Sequence, residues 1–294
     1  MRPAPMPEVA RRLRRAAPTF DAHAAVFENV GERLRERLEL LAITPARVLD
    51  LGCRTGYQRA ALQGRYPDAE IVGVDPAPAP PPVAPSSWPA WLRRRPRPAP
   101  TVAADPHRLP FADACFDLIV SNLLLPWCHA PHAVFAEAAR TLAPGGAFLC
   151  TGAGPDTLRE YRALWAGVDA HPHGFGLIDM HDLGDAMLAA GLAAPVLDRD
   201  EIRVDYPSVD ALERELRGVG AGNLARGRRA GLMAPGVRKA LQRCRSSEER
   251  FEVTFELVQG HAWKGELARS PRGPGGESYV SVETLRGSRA AGGG

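Results

Sequence analysis

The stretch Val48-Leu49-Asp50-Leu51-Gly52-Cys53-Arg54-Thr55-Gly56 constrains this chain more than any other, because an apolar strand runs straight into a glycine-bearing turn. A second apolar run, Val72-Gly73-Val74, ends on Asp75, 19 residues beyond Gly56. A strand, a glycine turn that opens a helix and a following strand closed by an acid make up the nucleoside corner of an open α/β sheet. Glycine lets backbone approach a ligand closely. A carboxylate at the end of the second strand can accept hydrogen bonds from both hydroxyls of a ribose.

Strand patterns recur at 47–51, 70–75, 101–104, 116–121 and 146–151, with helical patterns between most of them. The alternation predicts an α/β fold with a doubly wound, mostly parallel sheet. Ahead of the first strand, Ala24, Val26, Phe27, Val30, Leu34, Leu38 and Leu41 fall at helical spacing. Leu142-Ala143-Pro144-Gly145-Gly146 reads as a helix exit into the fifth strand, since glycine ends helices and proline cannot extend them. Beyond residue 155, helices are expected over 156–170 and 180–190, and strands over 196–205 and 251–259. The chain thus divides into an N-terminal basic arm (1–22), one domain (23–264) with a lid-like helical insertion at 206–250, and a disordered tail (265–294). Residues 76–100 hold ten prolines, a density that excludes a regular helix and marks an irregular insertion.

Composition removes several classes. No apolar run is long enough to cross a bilayer, which argues for a cytoplasmic protein without a membrane role. A net charge of +3 is too small to mark a nucleic-acid binder. The five cysteines are odd in number and form no Cys-x-x-Cys pair, so they read as free thiols and not as a disulfide framework or zinc site. His23, His107, His129 and His181 have no ligand-like spacing and no metal is expected. Basic residues cluster at Arg11, Arg12, Arg14 and Arg15, and again from Arg226 through Arg228, Arg229, Arg238, Lys239 and Arg243 to Arg245. They are either solvated helix faces or a surface that steers an acidic partner.

The order Asp50-x-Gly52-x-x-x-Gly56 resembles motif I of class I S-adenosylmethionine methyltransferases. Further stretches resemble one family among them, the malonyl-acyl-carrier-protein O-methyltransferases of biotin synthesis. They are Arg15 to Ala24, Ala104 to Phe111, Phe116 to Cys128, Gly154-Pro155-Asp156-Thr157-Leu158, Ile178 to Gly184 and Gly260-His261-Ala262-Trp263-Lys264. The resemblance implies an S-adenosylmethionine-dependent enzyme that methylates the free carboxylate of a malonyl group carried as a thioester on an acidic acyl carrier protein. It places Asp50, Gly52, Cys53 and Gly56 beneath the methionine part of the cofactor and Asp75 on the ribose. Asp105 would meet the adenine, Asn122 would face the methyl donor, and Phe20 and Trp127 would line the pocket. No general base is expected, because a carboxylate with a pKa near 4 is ionised at neutral pH and needs only alignment with the methyl group and exclusion of water.

The chain departs from the family pattern at three single residues and in one short run. Arg54 stands at the middle glycine of motif I, Phe20 where tyrosine is usual, and Pro126 where glutamine precedes Trp127; the residues after the second strand read Asp75-Pro76-Ala77-Pro78. These leave open a second class of function, a catalytically silent binding or assembly protein on the same fold, whose pocket would be filled by Arg54 or by the proline-rich segment. The arginine-hydroxylating assembly factors of respiratory complex I, which share the Asp-Thr-Leu and Asp-Leu-Gly elements, are the related alternative.

Overall fold

A computed structural model of the chain describes residues 4–78, 101–168, 170–174, 176–228 and 250–265. The proline-rich run from 79 to 100, the basic residues Arg229, Arg238, Lys239, Arg243 and Arg245, and the tail from 266 lie outside the described residues.

Seven described strands form one sheet in the order β3-β2-β1-β4-β5-β7-β6. β1 (Arg47–Leu51) lies between β2 (Glu70–Asp75) and β4 (Phe116–Ser121), with β3 (Thr101–Ala103) beyond β2 and β5 (Leu142–Ala153) beyond β4, all parallel. β7 (Phe251–Lys264) runs antiparallel between β5 and the long edge strand β6 (Leu192–Tyr206). Both faces of the central strands are covered, which is why they read as unbroken apolar runs. Alternate residues divide accordingly: Leu49, Leu51, Val72, Val74 and Ile119 enter one core, while Val48, Ile71, Leu118 and Val120 enter the other.

Helices α1 (Met6–Ala16) and α2 (Ala25–Glu39) precede the sheet, α3 (Arg59–Arg65) follows β1, and α4 (Pro131–Thr141) joins β4 to β5. α5 (Arg159–Ala166), α6 (Met180–Ala189) and α7 (Val209–Gly218) belong to the later part of the chain. α2 presents Leu34 and Leu38 to one core and Phe27 to the other, and so spans the sheet edge. The segment read as a basic arm carries α1, whose Val9 and Leu13 are buried in the main core. Among the described residues no helix is long and apolar enough to cross a membrane.

Several boundaries differ from the sequence reading, β7 among them, which runs to Lys264 instead of 259. α4 ends at Thr141 and β5 starts at once, because Leu142 pairs with Phe116 and the next four residues are taken up in a register shift before Ala147 meets Leu118. α5 is shorter than 156–170, since the chain turns at Leu158, whose φ of 54° no helix interior adopts. β6 starts four residues before the expected strand and pairs with β7 over most of its length.

The register shift fixes one stability prediction. A Cβ at Gly146 would stand 2.9 Å from the carbonyl oxygens of both Ala143 and Asp117, backbone atoms that cannot swing aside. Gly146→Ala is expected to destabilise the protein by about 1–3 kcal/mol, read as a lower midpoint in urea unfolding with the slope unchanged.

Candidate active site

Parallel β1, β2 and β4 bring Leu51, Asp75 and Ser121 to one edge, the carboxyl edge, where open α/β sheets bind ligands. The turn after β1 is fastened to β2: the amides of Gly52 and Cys53 both donate to the Val74 carbonyl, at 2.7 and 3.1 Å. Gly52 holds φ at 88° and packs so tightly that a Cβ there would lie 2.9 Å from the Leu124 side chain. Gly56, at φ 81°, closes the turn before α3. Cys53 packs against β2, its Sγ filling the space above Gly73, and burial pushes its thiol pKa up.

Asp75 is fully buried at the end of β2. Its Oδ2 accepts from the Arg54 amide at 3.1 Å and its Oδ1 from the Ala77 amide at 2.7 Å. Burial raises its pKa, partly opposed by the Arg54 charge. Asp50 sits mid-strand between Gly73 and Val120, and burial pushes its pKa up to about 7, against the pull of Arg59 and with the push of Asp75.

An acid whose folded pKa lies above its unfolded value binds more protons in the folded state, so stability falls as pH rises between the two values. For Asp50 that window runs from about pH 4 to about pH 7, and Asp75 acts with the same sign. Asp50→Asn, which mimics the protonated acid, is expected to lose less stability than the parent between pH 5 and pH 8, by on the order of 1–3 kcal/mol in urea unfolding. Parallel pH profiles for the two proteins would remove this assignment.

Arg54 does not point outward. Although it is not glycine it adopts φ 53°, and its side chain is 6 % exposed. The guanidinium lies 4.7 Å from the Phe20 ring centroid and 5.9 Å from that of Trp127, and donates to the Val219 carbonyl just past α7 at 2.8 Å. Its side chain is packed at the corner among Phe20, Trp127 and the end of α7. Burial lowers its pKa, with Asp75 opposing. Two buried polar atoms here, Arg54 Nε and Ser121 Oγ, have no hydrogen-bond partner among the described residues.

Asn122 is committed within the protein. Its amide donates to the Phe27 carbonyl at 2.9 Å and the Tyr57 hydroxyl at 2.6 Å, and its oxygen accepts from the Thr151 hydroxyl at 2.7 Å. It locks α2, the motif I turn and β5 to the end of β4. Asp105 stands apart on the turn after β3, where its Oδ1 accepts from the His107 amide at 2.9 Å and pairs with the His107 ring at 2.6 Å. The structure therefore brings Asp50, Gly52, Cys53, Gly56, Asp75, Asn122, Phe20 and Trp127 together, with Asp105 at the rim. Tyr57 was not anticipated from sequence: its ring lies 5.6 Å from Phe20 and returns a phenol to a site where Phe20 has none. Its place directly after Gly56 was the available signal.

Beside Trp127 lies a small cavity of about 60 Å³ with largely apolar walls that include Phe27, Leu123, Pro126, Leu216 and Val219. Among the described residues no cluster of His, Cys, Asp or Glu could hold a metal, and Cys53, Cys115, Cys128 and Cys150 are free thiols.

A seven-stranded sheet in this order, with one antiparallel strand and a motif I corner at its carboxyl edge, defines a class I S-adenosylmethionine-dependent methyltransferase. The sequence family described as Methyltransferase domain matches residues 49–150. The solved YcgJ protein of Bacillus subtilis superposes with a TM-score of 0.51 at 16% identity, over 79% of this chain and 98% of that one. Two curated relatives are more informative. The malonyl-acyl-carrier-protein O-methyltransferase of Laribacter hongkongensis is 40% identical over 85% of this chain and 86% of its own length. That of Methylovorus sp. is 39% identical over 87% and 88%. The chain belongs to the malonyl-acyl-carrier-protein O-methyltransferase family.

Proposed function

We propose that this protein transfers a methyl group from S-adenosylmethionine to the free carboxylate of a malonyl thioester on an acyl carrier protein, the step that the resemblance assigns to biotin synthesis. The observation that carries the reading is a fully buried Asp75 at the end of β2 beside the Gly52 turn, within a chain 40% identical to a curated enzyme of that name. The cofactor supplies an activated methyl on a sulfonium. Asp75 would hold its ribose, with Asp50 and the Gly52–Gly56 turn beneath its methionine part and Asp105 at the adenine end.

The remaining residues orient and exclude. The Asn122–Tyr57–Thr151 network fixes the end of β4, so that Leu123 and Trp127 form a rigid wall of the inner cavity. Phe20, Phe27 and Trp127 keep water from the acceptor oxygen. The acceptor arrives ionised, so no side chain has to remove a proton.

Incubation with S-adenosylmethionine and malonyl-carrier protein, followed by intact mass analysis, is expected to add the mass of one methyl group, carried on the malonyl fragment released from the carrier. Cofactor consumption without a methylated carrier would reject this acceptor, and absence of cofactor binding would reject the enzyme.

A further inference from the structure

A second and larger cavity, of about 420 Å³, opens between α5 and α7 and is not accounted for by the cofactor site. Its walls carry Arg12, Arg162, Arg217 and Arg228 against a single carboxylate, Glu213. Glu213 is matched by Arg217 at 3.1 Å. Arg12 and Arg228 come from opposite ends of the chain and share one carboxylate, Glu8. Burial and the neighbouring Arg228 charge hold Arg12 below the usual arginine range. Arg162 donates to the carbonyls of Thr157 and Pro155, and burial lowers its pKa against the pull of Asp156, Glu160 and Glu256, none of which lines the cavity. Among the lining residues four arginines thus face one carboxylate, and Arg12 and Arg162 are partly desolvated, an arrangement that favours an entering anion.

One wall is aromatic. Trp165 stacks on His173 with ring centroids 3.9 Å apart, and its indole N–H is buried without a hydrogen-bond partner among the described residues. The basic cavity also abuts the small apolar cavity beside Trp127, the two sharing Thr157, Leu216 and Ala221 as walls. A ligand anchored by an anionic group in the outer cavity could thus pass a slender chain inward to the carboxyl edge of β4.

We propose that this cavity binds the phosphate of a phosphopantetheine thioester, with Arg12, Arg162 and Arg228 as its anion donors, and that it measures the distance from that phosphate to the methylated end. The inference rests on the proposed acceptor class and adds the part of it that is recognised. Guanidinium groups suit a phosphate because they deliver paired donors and stay charged. The same phosphate occurs in a carrier protein's prosthetic arm and in coenzyme A, so both malonyl thioesters should use the cavity.

The test compares ligands with and without the phosphate, of which the phosphopantetheine and pantetheine pairs differ in that group alone. Free 4′-phosphopantetheine is titrated calorimetrically against pantetheine, and methylation of malonyl-phosphopantetheine, malonyl-coenzyme A and malonyl-carrier protein is compared with that of malonyl-pantetheine. The phosphorylated ligand is expected to bind about 10- to 100-fold more tightly, the span of a charge-assisted hydrogen bond or two. Arg12→Gln and Arg162→Gln should each cut that preference about tenfold or more, in binding and in kcat/KM, whereas Arg214→Gln, an exposed charge on α7, should leave it in place. Circular dichroism of each variant verifies folding. Equal binding of the two pantetheines, or a preference that survives both cavity substitutions, overturns the proposal. If no malonyl thioester is methylated while the phosphate preference is present and sensitive to Arg162, the acceptor assignment fails and the phosphate site stands; methylation indifferent to the phosphate has the opposite meaning.

Discussion

Replacing Asp75 by alanine is expected to leave a folded protein that has lost about 1.5–3 kcal/mol of S-adenosylmethionine affinity, roughly 10- to 150-fold, the contribution of hydrogen bonds to a charged group. Asp75 is buried and its two oxygens are aimed by the amides of Arg54 and Ala77, so its carboxylate is already oriented before any ribose arrives. Asp75→Asn keeps an acceptor in the same place but removes the charge, and should fall between the parent and the alanine variant. Isothermal titration with S-adenosylmethionine and S-adenosylhomocysteine reads both. Unchanged affinity in a folded Asp75→Ala protein would take the ribose away from this strand end.

Arg54→Gly should have the opposite sign and tighten cofactor binding by about 10- to 30-fold. In the structure its guanidinium sits against Phe20 and Trp127 and on the Val219 carbonyl while its amide donates to Asp75, so a cofactor held by Asp75 would have to displace that side chain first. Contacts of this kind are worth about 2 kcal/mol together, and affinity is reduced by the fraction of molecules in which the site is closed. Glycine also relieves the left-handed backbone at this position, worth on the order of 1–2 kcal/mol, which offsets part of the lost packing in the free protein. Weaker binding in Arg54→Gly would instead make the arginine a ligand contact. That one result separates a gate from an anchor.

The first five strands and the α/β class were legible because parallel strands covered on both faces leave continuous apolar runs, and Val48 to Leu51 and Ile71 to Val74 are such runs. The extent of β6 was not, since an edge strand with alternating exposure, such as Leu192 to Tyr206, is diluted by charge. The places of Asp50, Gly52, Gly56 and Asp75 at the strand ends and turn could be read because they depend on local spacing. The direction of Arg54 could not, because it is set by Phe20, Trp127 and Val219, which lie 34, 73 and 165 residues away in sequence. The same holds for the basic cavity. Arg12 and Arg228 belong to separate clusters in the sequence, and only the fold shows them sharing Glu8.

The seam between the two ends of the chain sets an order of assembly. The Thr19 hydroxyl donates to the Gly218 carbonyl, the Ala4 amide donates to the Leu224 carbonyl, and Gly220 packs on Leu13 and Ala16. During synthesis the first helix is therefore made about 200 residues before the segment that completes its burial. Until that segment leaves the ribosome, Val9 and Leu13 lack part of their cover, and β7, through which β6 joins the sheet, is not yet made either, so the last burial of the first helix and the completion of the sheet both wait for the final third of the chain.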